Sequence, residues 1–234
     1  MFDERAKLSE KLILWDIDGT LLKTSRQRTI PLHLEVVRNL GSNFSSIPFE
    51  TAGMTDSEIL NRLLSLSGLR RGARVIKSAL DELDRLSNLS DNETHFQILP
   101  GVVDTLERLR LTSWKSGVLT GNTFLRAKSK IGKSELSRFF DEMYFFTCIA
   151  GESRQDIANR VRTNLMALQI KMVVVIGDTP ADIEMARKVG FQVIAVATGK
   201  FSSDELKRNK PDLLIDGLES SGIEVIEFML SQSI

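Results

Sequence analysis

The chain has 234 residues, of which 42% are hydrophobic and 26% charged, and this ordinary globular composition suits one large domain or a core domain with a smaller companion. Its 31 basic and 31 acidic residues give a formal net charge of zero, which disfavours nucleic acid and anionic membranes as partners. A single cysteine, Cys148, excludes an intrachain disulfide, and because no apolar run is long enough to span a bilayer, we expect a soluble, cytoplasmic protein.

The first predicted strand, Leu12–Trp15, is followed by two aspartates, Asp16 and Asp18, and then by Gly19. Side chains alternate along an extended chain, so both carboxylates lie on one side of it. There they repel each other unless a cation or a shared proton lies between them. An Asp-Gly pair is also a common turn in which one aspartate caps the next segment. We favour the functional interpretation of this motif over the turn.

Residues 24–99 then show helical patterns and no strand pattern. The helical patterns lie near Pro31–Leu40, Ser57–Leu66 and Ala73–Leu86. Thr55 and Glu58 have the spacing of a capping box in front of the second of these helices. We therefore predict a helical domain, 24–99, inserted into a core that consists of residues 1–23 and 100–234.

The rest of the chain alternates short apolar runs with helical patterns. Continuous apolar runs are typical of strands buried on both faces of a parallel sheet, and their alternation with helices predicts a doubly wound, mainly parallel α/β fold. The carboxyl ends of the strands then share one edge, where ligands bind. The predicted strands are Leu12–Trp15, Gly117–Leu119, Met143–Phe146, Met172–Ile176, Val193–Val196 and Leu213–Ile215, and predicted core helices are Val102–Leu111 and Asp156–Leu168.

Two more polar motifs follow predicted strands. Thr120-Gly121-Asn122 offers a hydroxyl and backbone donors to a phosphate, although an ordinary turn into a helix has the same pattern. Asp178 and Asp182 lie in Gly177-Asp178-Thr179-Pro180-Ala181-Asp182, where they fit the acidic start of a helix equally well. Together with the first aspartate pair, however, they bring four carboxylates to one edge of the sheet, which suits a hard metal ion.

These motifs, in this order, resemble the haloacid dehalogenase superfamily, and more narrowly its phosphoglycolate phosphatase-like members with a helical cap. The resemblance rests on Asp16-x-Asp18-Gly19-Thr20, Thr120-Gly121-Asn122 and Gly177-Asp178-Thr179-x-x-Asp182. It covers nearly the whole chain, including the position of the helical insertion. The first and last motifs are specific to the superfamily, whereas the middle one is supportive only. The implied fold is an α/β core with an inserted α-helical cap.

The resemblance also implies catalytic and metal-binding roles. Asp16 would be the nucleophile that takes the phosphoryl group as an aspartyl-phosphate. Asp18 would protonate the leaving alcohol and then activate the hydrolytic water. Mg²⁺ would be held by the Asp16 carboxylate, the backbone carbonyl of Asp18 and Asp178. Asp182 would support the metal and a nearby cation from the next layer.

The implied substrate-binding residues come from the middle motif and from the insertion. The Thr120 hydroxyl and the Gly121 N–H would bind the phosphoryl oxygens, and Asn122 belongs to the same motif. Similar family members place a comparable Gly-x-Thr-Asp loop over the active site. This makes Thr55 a secondary candidate for contact with the substrate, beside its capping role.

One position departs from the family pattern. The family usually supplies a lysine after the third strand, and a register match places Glu152 there in this chain. A cation is still needed to offset Asp16, the phosphate and Asp182. Arg154, at the start of a predicted helix, is our candidate, and Arg160, well inside that helix, is the second choice. The alternative for Arg154 is an ordinary surface charge.

Asp18 helps to select the reaction, because dehalogenases and phosphonate hydrolases of this family lack an acid at that position. We therefore predict a Mg²⁺-dependent phosphatase that hydrolyses a small phosphate monoester of the phosphoglycolate or sugar-phosphate type. Two alternatives stay open: a β-phosphoglucomutase-like phosphomutase, and a non-catalytic phosphate-binding or regulatory homologue, which the missing lysine motivates. The expected partner is a small phosphorylated metabolite, without nucleic acid or membrane, and the protein is expected to be a monomer or homodimer.

Overall fold

The structure is a computed structural model that describes residues 11–23, 26–70, 72–90 and 96–232. The strands are β1 (Lys11–Trp15), β2 (Lys115–Thr123), β3 (Phe145–Cys148), β4 (Met172–Gly177), β5 (Gln192–Val196) and β6 (Leu213–Ile215). They form one parallel sheet in the spatial order β3-β2-β1-β4-β5-β6. Every neighbouring pair in this sheet is parallel. The predicted fold class, α/β with a mainly parallel sheet, is confirmed.

Nine α-helices lie in the described part of the chain, and six of them cover the two faces of the sheet. The nine helices are α1 (Arg26–Asn39), α2 (Asp56–Leu66), α3 (Ala73–Ser90), α4 (Val102–Leu109), α5 (Phe124–Lys133), α6 (Arg154–Ala167), α7 (Pro180–Lys188), α8 (Ser203–Arg208) and α9 (Ser220–Gln232). Side chains of α4, α5 and α9 pack on one face of the sheet, and those of α6, α7 and α8 pack on the other. This is the doubly wound arrangement. Among the described residues, no helix is long and apolar enough to cross a membrane.

The central strand β1 shows why the buried strands read as continuous apolar runs. Ile13 and Trp15 contribute to the hydrophobic cluster on one face, whereas Leu12 and Leu14 contribute to the cluster on the other. All four side chains are fully buried. A strand covered on both faces has no solvated side on which polar residues could alternate.

The third strand begins later than the sequence predicts. The run Met143–Phe146 is not one strand, because Glu142–Tyr144 forms a single turn of 3₁₀ helix and β3 starts at Phe145. The side chain of Asp141 accepts a hydrogen bond from the N–H of Met143 at 2.9 Å and so caps this turn. Met143 is 53% exposed, which explains why its apolar character is a misleading strand signal.

Helices α1, α2 and α3 form a helical insertion, residues 26–90 in the structure, between β1 and α4. The insertion has a hydrophobic core of its own, to which each of the three helices contributes. Its fully buried residues include Val36 and Val37 of α1, Leu60 and Leu63 of α2 and Leu83 of α3. The helix positions agree with the three helical patterns of the sequence.

The chain enters and leaves the helical insertion along two adjacent segments. The N–H of Lys23 donates to the carbonyl of Gln97 at 2.8 Å, and the N–H of Leu99 donates to the carbonyl of Leu21 at 3.0 Å. The expected domain limits at 24 and 99 lie at these two segments, although residues 24 and 25 fall outside the described part of the chain. Both connections therefore meet the core at one place.

Replacement of Leu14 by alanine tests the packing of the central strand. Leu14 is fully buried, and the truncation is expected to lower the free energy of unfolding by about 2–5 kcal/mol. Leu111→Ala is the matched control, because Leu111 is 89% exposed and its truncation is expected to change stability by less than about 0.5 kcal/mol. Urea unfolding of both variants measures the difference, and equal midpoints would contradict this packing.

Candidate active site

Three buried carboxylates meet at the carboxyl edge of the sheet. Asp16 follows β1, Asp178 follows the neighbouring strand β4, and Asp182 lies in the first turn of α7. Each offers a carboxylate oxygen, and these oxygens all lie within 4.8 Å of one another. The three residues are at most 3% exposed. The structure therefore brings together three of the four aspartates that the sequence places at this edge.

Two glycines fix the position of Asp178. A Cβ atom on Gly199 would lie 1.7 Å from Oδ2 of Asp178, and one on Gly19 would lie 2.4 Å from the same oxygen. Gly19 also has a φ of 94°, a backbone conformation that strongly favours glycine. The hydroxyl of Thr20 donates to Oδ1 of Asp178 at 3.2 Å. The turn at Asp18-Gly19 and the acidic cluster therefore depend on the same residue, since Gly19 leaves room for the carboxylate of Asp178.

Asp182 serves both as a helix-capping residue and as a member of the cluster. Its Oδ2 accepts hydrogen bonds from the N–H and the hydroxyl of Thr179, at 3.1 and 2.6 Å, which completes a capping box at the start of α7. Its Oδ1 accepts a hydrogen bond from Arg154. The capping role of Asp182 is therefore compatible with its place in the acidic cluster.

Arg154 is the cation that reaches the cluster. Its guanidinium contacts Oδ1 of Asp182 and lies 3.4 Å from Oδ1 of Asp16, and its Nε donates to the carbonyl of Gly53 at 3.2 Å. Burial alone would lower the pKa of Arg154, but the neighbouring carboxylates, above all Asp182 and Asp16, raise it above its ordinary value. The side chain stays charged, and at 12% exposure it is not an ordinary surface residue.

The second-choice cation, Arg160, points elsewhere. It forms an ion pair with Glu152 at 2.8 Å and donates to the backbone carbonyl of Thr147 at 2.6 Å. Glu152, at the position where the family usually has a lysine, lies just before α6 and is neutralised by Arg160 of that helix. Arg160 is therefore paired with Glu152, whereas Arg154 contacts the acidic cluster.

Asp18 is turned away from the other three aspartates. Its Oδ2 accepts hydrogen bonds from Nζ of Lys130 at 2.5 Å and from the side-chain amide of Asn122 at 2.8 Å. Burial alone would raise the pKa of Asp18, but Lys130 and Asn122 together hold it below its ordinary value. Its side chain is 29% exposed and borders the cavity described below. The Asp18 carboxylate is therefore held by Lys130 and Asn122 and is not one of the three clustered carboxylates.

Sequence reasoning missed Lys130. The only signal is its position, since it lies on the face of α5 that also carries the buried residues Ala127 and Ile131. A lysine on such a face needs a partner, because a buried charge without one is strongly unfavourable. The identity of the partner depends on the tertiary fold and cannot be read from spacing.

The middle motif lies at the end of β2 and not in a loop after it, because β2 extends to Thr123. The hydroxyl of Thr120 accepts a hydrogen bond from the side-chain amide of Asn122 at 2.8 Å. Gly121 allows the helical insertion to come close, since a Cβ atom there would lie 2.8 Å from the carbonyl oxygen of Met54. All three residues of the motif border the same cavity as Asp16.

The structure does not bring Thr55 into this cavity. Thr55 is the N-cap of α2, and its hydroxyl donates to the carbonyl of Glu152 at 2.8 Å while accepting from the N–H of Glu58. The residue is fully buried by these contacts and is absent from the residues that line the cavity. The geometry supports the capping role and a contact between the insertion and the core.

A cavity of about 520 Å³ lies between the carboxyl edge of the sheet and the helical insertion. Its floor contains Asp16, Asp18 and Asp178 from the core, and Arg154 borders it from the side. The insertion supplies an apolar wall, which consists of Ile47, Phe49, Met54 and Ile59. A cavity of this size holds a small organic molecule. Charged residues, among them Lys23, Glu50 and Lys200, also line the cavity.

The acidic cluster needs a cation. Burial raises the pKa of Asp16 to about 7, although Arg154 opposes this and Asp182 reinforces it. Burial and the carboxylates of Asp16 and Asp182 raise the pKa of Asp178 to about 8. When all three carboxylates are ionised, one arginine leaves the cluster with excess negative charge. Clustered carboxylate oxygens are the ligands that hard divalent cations prefer, so the residues present fit Mg²⁺.

Comparison with known proteins decides the family. The sequence profile described as haloacid dehalogenase-like hydrolase matches residues 13–196, well over half of the chain. The protein belongs to this family. The match begins in β1 and ends with β5, so it contains both acidic motifs, the middle motif and the helical insertion. The predicted membership in the haloacid dehalogenase superfamily, and with it the predicted hydrolase class, is confirmed.

Individual relatives of this haloacid dehalogenase-like hydrolase are distant. The chain is 23% identical over 220 residues to a protein named probable phosphatase IndB from Dickeya dadantii, covering 88% of this chain and 89% of the relative. It is 26% identical over 208 residues to a phosphoglycolate phosphatase from Synechococcus elongatus, covering 87% and 92%. A solved structure from Bacteroides vulgatus is provisionally named a β-phosphoglucomutase. The match covers 97% of this chain and 91% of the chain in that structure. Its TM-score of 0.66 at 18% sequence identity shows a shared fold.

The acidic cluster predicts how stability depends on pH without a metal. A carboxyl group whose pKa is raised in the folded state stabilises the protein while protonated, and this contribution is lost as pH rises toward the folded pKa. The pKa values of Asp16 and Asp178 are raised from 3.8 to about 7 and about 8, so the unfolding temperature in EDTA should fall from about pH 4 to about pH 8 and then level off. Each kcal/mol lost lowers it by about 2–4 °C.

Added Mg²⁺ is expected to raise the unfolding temperature more at pH 8 than at pH 6, because it neutralises carboxylates that are charged only at the higher pH. Thermal unfolding followed by circular dichroism measures both curves. Asp178→Asn is the matched variant, and its metal-free curve should be flatter. A metal-free curve that rises from about pH 6 to 8 would contradict the clustering of buried acids.

Proposed function

We propose that this hydrolase is a Mg²⁺-dependent phosphatase that hydrolyses a small phosphate monoester through an aspartyl-phosphate on Asp16. The observation that carries the proposal is the position of Asp16, a buried carboxylate at the floor of the cavity that faces other acids and one arginine. The names of two relatives, a probable phosphatase and a phosphoglycolate phosphatase, support the same reaction class.

The metal ligands in this proposal are the Asp16 carboxylate, the backbone carbonyl of Asp18 and Asp178. When bound, Mg²⁺ would offset the negative charge of the phosphoryl group and of the carboxylates around it. Asp182 would act beside the ion rather than on it, because both of its oxygens already accept hydrogen bonds from Thr179 and Arg154. The predicted role of Asp182 as a supporting residue fits these contacts.

The reaction would proceed in two steps. The negative charge of a bound phosphate group beside Asp18 would favour protonation of its carboxyl group, against the effect of Lys130. A carboxylate oxygen of Asp16 then attacks phosphorus, the phosphorus–oxygen bond to the alcohol breaks, and the alcohol oxygen takes this proton from Asp18. Water then attacks the phosphorus of the aspartyl-phosphate and gives a proton to Asp18, which releases inorganic phosphate and restores Asp16. Asp18 borders the cavity and is therefore able to reach both the leaving group and the water.

Arg154 and the middle motif would orient the phosphoryl group. The planar guanidinium of Arg154 bridges Asp16 and Asp182, which a compact ammonium group cannot do in the same way. The hydroxyl of Thr120 and the N–H of Gly121 would donate to the phosphoryl oxygens, and the Asn122 amide would keep the Thr120 hydroxyl in place. Positioned donors of this kind are the main source of rate enhancement in phosphoryl transfer.

The helical insertion would act as the cap domain, with the core formed by residues 1–23 and 100–234 and the cap by 24–99. Contacts with the loop before α6 dock it: Gly53 accepts from Arg154, Thr55 donates to Glu152, and Ser57 accepts from the N–H of Gly151 at 2.9 Å. Closure over Asp16 would exclude bulk water. The partner would be a small phosphorylated metabolite whose alcohol portion meets the apolar wall.

The two alternative functions separate by product. A phosphomutase would use the same residues but return a phosphorylated product through a bisphosphate, whereas hydrolysis releases inorganic phosphate. A non-catalytic homologue was motivated by the missing lysine, and the contacts of Arg154 with Asp16 and Asp182 now supply the cation that this argument lacked. The site therefore supports a catalytic protein, and the names of the two phosphatase relatives favour hydrolysis over the mutase reaction.

The test of the proposal is Mg²⁺-dependent phosphate release from a panel that contains phosphoglycolate, sugar phosphates and p-nitrophenyl phosphate. Asp16→Asn removes the nucleophile without changing its size, and kcat is expected to fall by about a thousandfold or more. Asp104→Asn on α4, at an exposed aspartate that does not line the cavity, is the control. No release from any ester by the unaltered protein, or full activity of Asp16→Asn, would contradict the proposal.

Arg154→Met tests the replacement of the family lysine by an arginine at another position. Loss of a preorganised cation is expected to lower kcat by about 10²–10³, because it offsets charge at the reacting phosphorus. Arg162→Met changes an exposed arginine of the same helix and should leave kcat unchanged. Steady-state kinetics on the best ester of the panel compares the variants, and equal rates would show that another group supplies the charge.

A further inference from the structure

The cavity beside the acidic cluster is larger than a two-carbon phosphate ester needs. Its volume of about 520 Å³ lies within the range of roughly 300–1,000 Å³ that is typical of sites for drug-sized ligands. A phosphoryl group at Asp16 would occupy only the floor of this space. The other walls therefore indicate the chemistry of the alcohol portion of the substrate.

One wall consists of apolar side chains that the protein covers only in part. Ile47, Phe49 and Met54 of the helical insertion are each partly exposed, and all three line the cavity. Apolar side chains gathered on one wall of a cavity are stabilised when an apolar surface of a ligand covers them. An alcohol portion made only of hydroxyl or carboxylate groups would leave this wall in contact with water.

Phe49 is the aromatic member of this wall, and a cation supports its ring. The guanidinium carbon of Arg62, on α2, lies over the Phe49 ring at 4.3 Å from the ring centroid. This cation–π contact orients the ring and covers one of its two faces. Because Phe49 is partly exposed and lines the cavity, the rest of the ring is available to a ligand. Planar rings stack on an aromatic surface of this kind.

Two contacts tie the segment that carries Phe49 to the core. Glu50, the next residue, forms an ion pair with Lys200 in the loop after β5. The carbonyl of Gly53 accepts a hydrogen bond from Nε of Arg154 at 3.2 Å, and the same arginine contacts the acidic cluster. The ring is therefore held in a fixed relation to the cluster, and both border one cavity.

Polar groups beside the apolar wall disfavour a purely hydrocarbon alcohol. Lys23, Glu50, Thr51 and Lys200 line the same cavity. Their ammonium, carboxylate and hydroxyl groups form hydrogen bonds with sugar hydroxyls and with the edge of a heterocycle, whereas a lipid chain would cover them without pairing them. The lining as a whole fits a ring that is apolar on its faces and polar at its edge.

We propose that the substrate is a phosphate monoester whose alcohol portion carries a planar heterocycle, a member of the nucleoside monophosphate class, and that Phe49 selects it by stacking. The inference rests on the function proposed above, in which Asp16 attacks the phosphoryl group. The sugar would span the space between the phosphoryl group and the ring. One face of the base would lie against Phe49, and its polar edge would meet the charged groups of the lining.

Ribose 5-phosphate and the ribonucleoside 5′-monophosphates are matched substrates for the test, because they share the phosphate and the sugar and differ in the base. For the unaltered protein, kcat/KM for the best nucleoside monophosphate is expected to be at least about tenfold higher than for ribose 5-phosphate, since stacking of one base strengthens binding by that order. Phosphate release in the presence of Mg²⁺ measures both values.

Phe49→Leu keeps an apolar side chain but removes the ring. The variant is expected to lower kcat/KM for the nucleoside monophosphate about tenfold and to leave the value for ribose 5-phosphate within about twofold. The loss should appear in KM rather than in kcat, because the base lies away from the bond that breaks and is bound equally before and during the reaction. Phe49→Tyr keeps a stacking ring and should retain the preference.

Phe228→Leu on α9 is the matched control. Phe228 is 67% exposed and does not line this cavity, so its substitution should leave both values unchanged. Thermal unfolding identifies any variant that does not fold. If Phe49→Leu is one of these, Ile47→Ala, which removes part of the same wall at a partly exposed position, carries the prediction in the same direction with a loss of about threefold.

The remaining outcomes separate this inference from the proposed function. Release of phosphate from other esters without a preference for nucleoside monophosphates over ribose 5-phosphate would overturn the inference alone. Equal losses for both substrates in Phe49→Leu would do the same, because they would assign Phe49 a structural role. A loss confined to p-nitrophenyl phosphate would replace the nucleoside class by simple aryl alcohols. No phosphate release from any ester by the unaltered protein would overturn the proposed function itself.

Discussion

Mutual repulsion of buried carboxylates at the carboxyl edge of the sheet is the constraint on which the rest of this structure depends. Asp16, Asp178 and Asp182 lie within a few ångströms of one another and almost entirely out of water. Low exposure strengthens their repulsion, since water no longer screens it. A fold that keeps such a cluster must supply cations and must hold the carboxylates in fixed positions. The glycines beside Asp178 and the capping box at Asp182 fix the positions of these two side chains.

The cations come from helices and not from the motifs that hold the acids. Arg154 enters from the first residue of α6, and Arg126 and Lys130 enter from one face of α5. Each of the three is paired with an aspartate in the site or beside it. The zero net charge of the whole chain therefore conceals a strong local separation of charge. The surface pairs are mostly exposed, where ion pairs contribute little, and the buried pairs at this edge fix geometry.

The sequence predicts best where one physical requirement determines the residue type. Strands buried on both faces must be apolar throughout, so β1 and β4 are readable directly, and paired aspartates after such strands indicate a cation site. Prediction fails where the tertiary fold decides. Met143 is apolar but exposed, and it gives a false signal for the start of β3. Helix α9 is not among the predicted helices. The partner of Lys130 lies over a hundred residues away in sequence, so only the folded chain reveals it. The sequence around Thr55 is compatible with a capping box and with a loop that contacts the substrate. The hydrogen bonds of Thr55 in the structure support the capping role.

The pairing of Lys23 with Gln97 and of Leu21 with Leu99 has a consequence for how such proteins diversify. The chain leaves and rejoins the core at one place, so the two ends of the intervening segment lie side by side, as the ends of a closed loop do. Closing such a loop depends only weakly on its length, so segments of very different size and shape are tolerated at this position. Under the function proposed above, the sheet edge would hold the chemistry and the interposed helices the selectivity, and the two would change independently. One set of aspartates would in this way serve many different alcohols across a lineage.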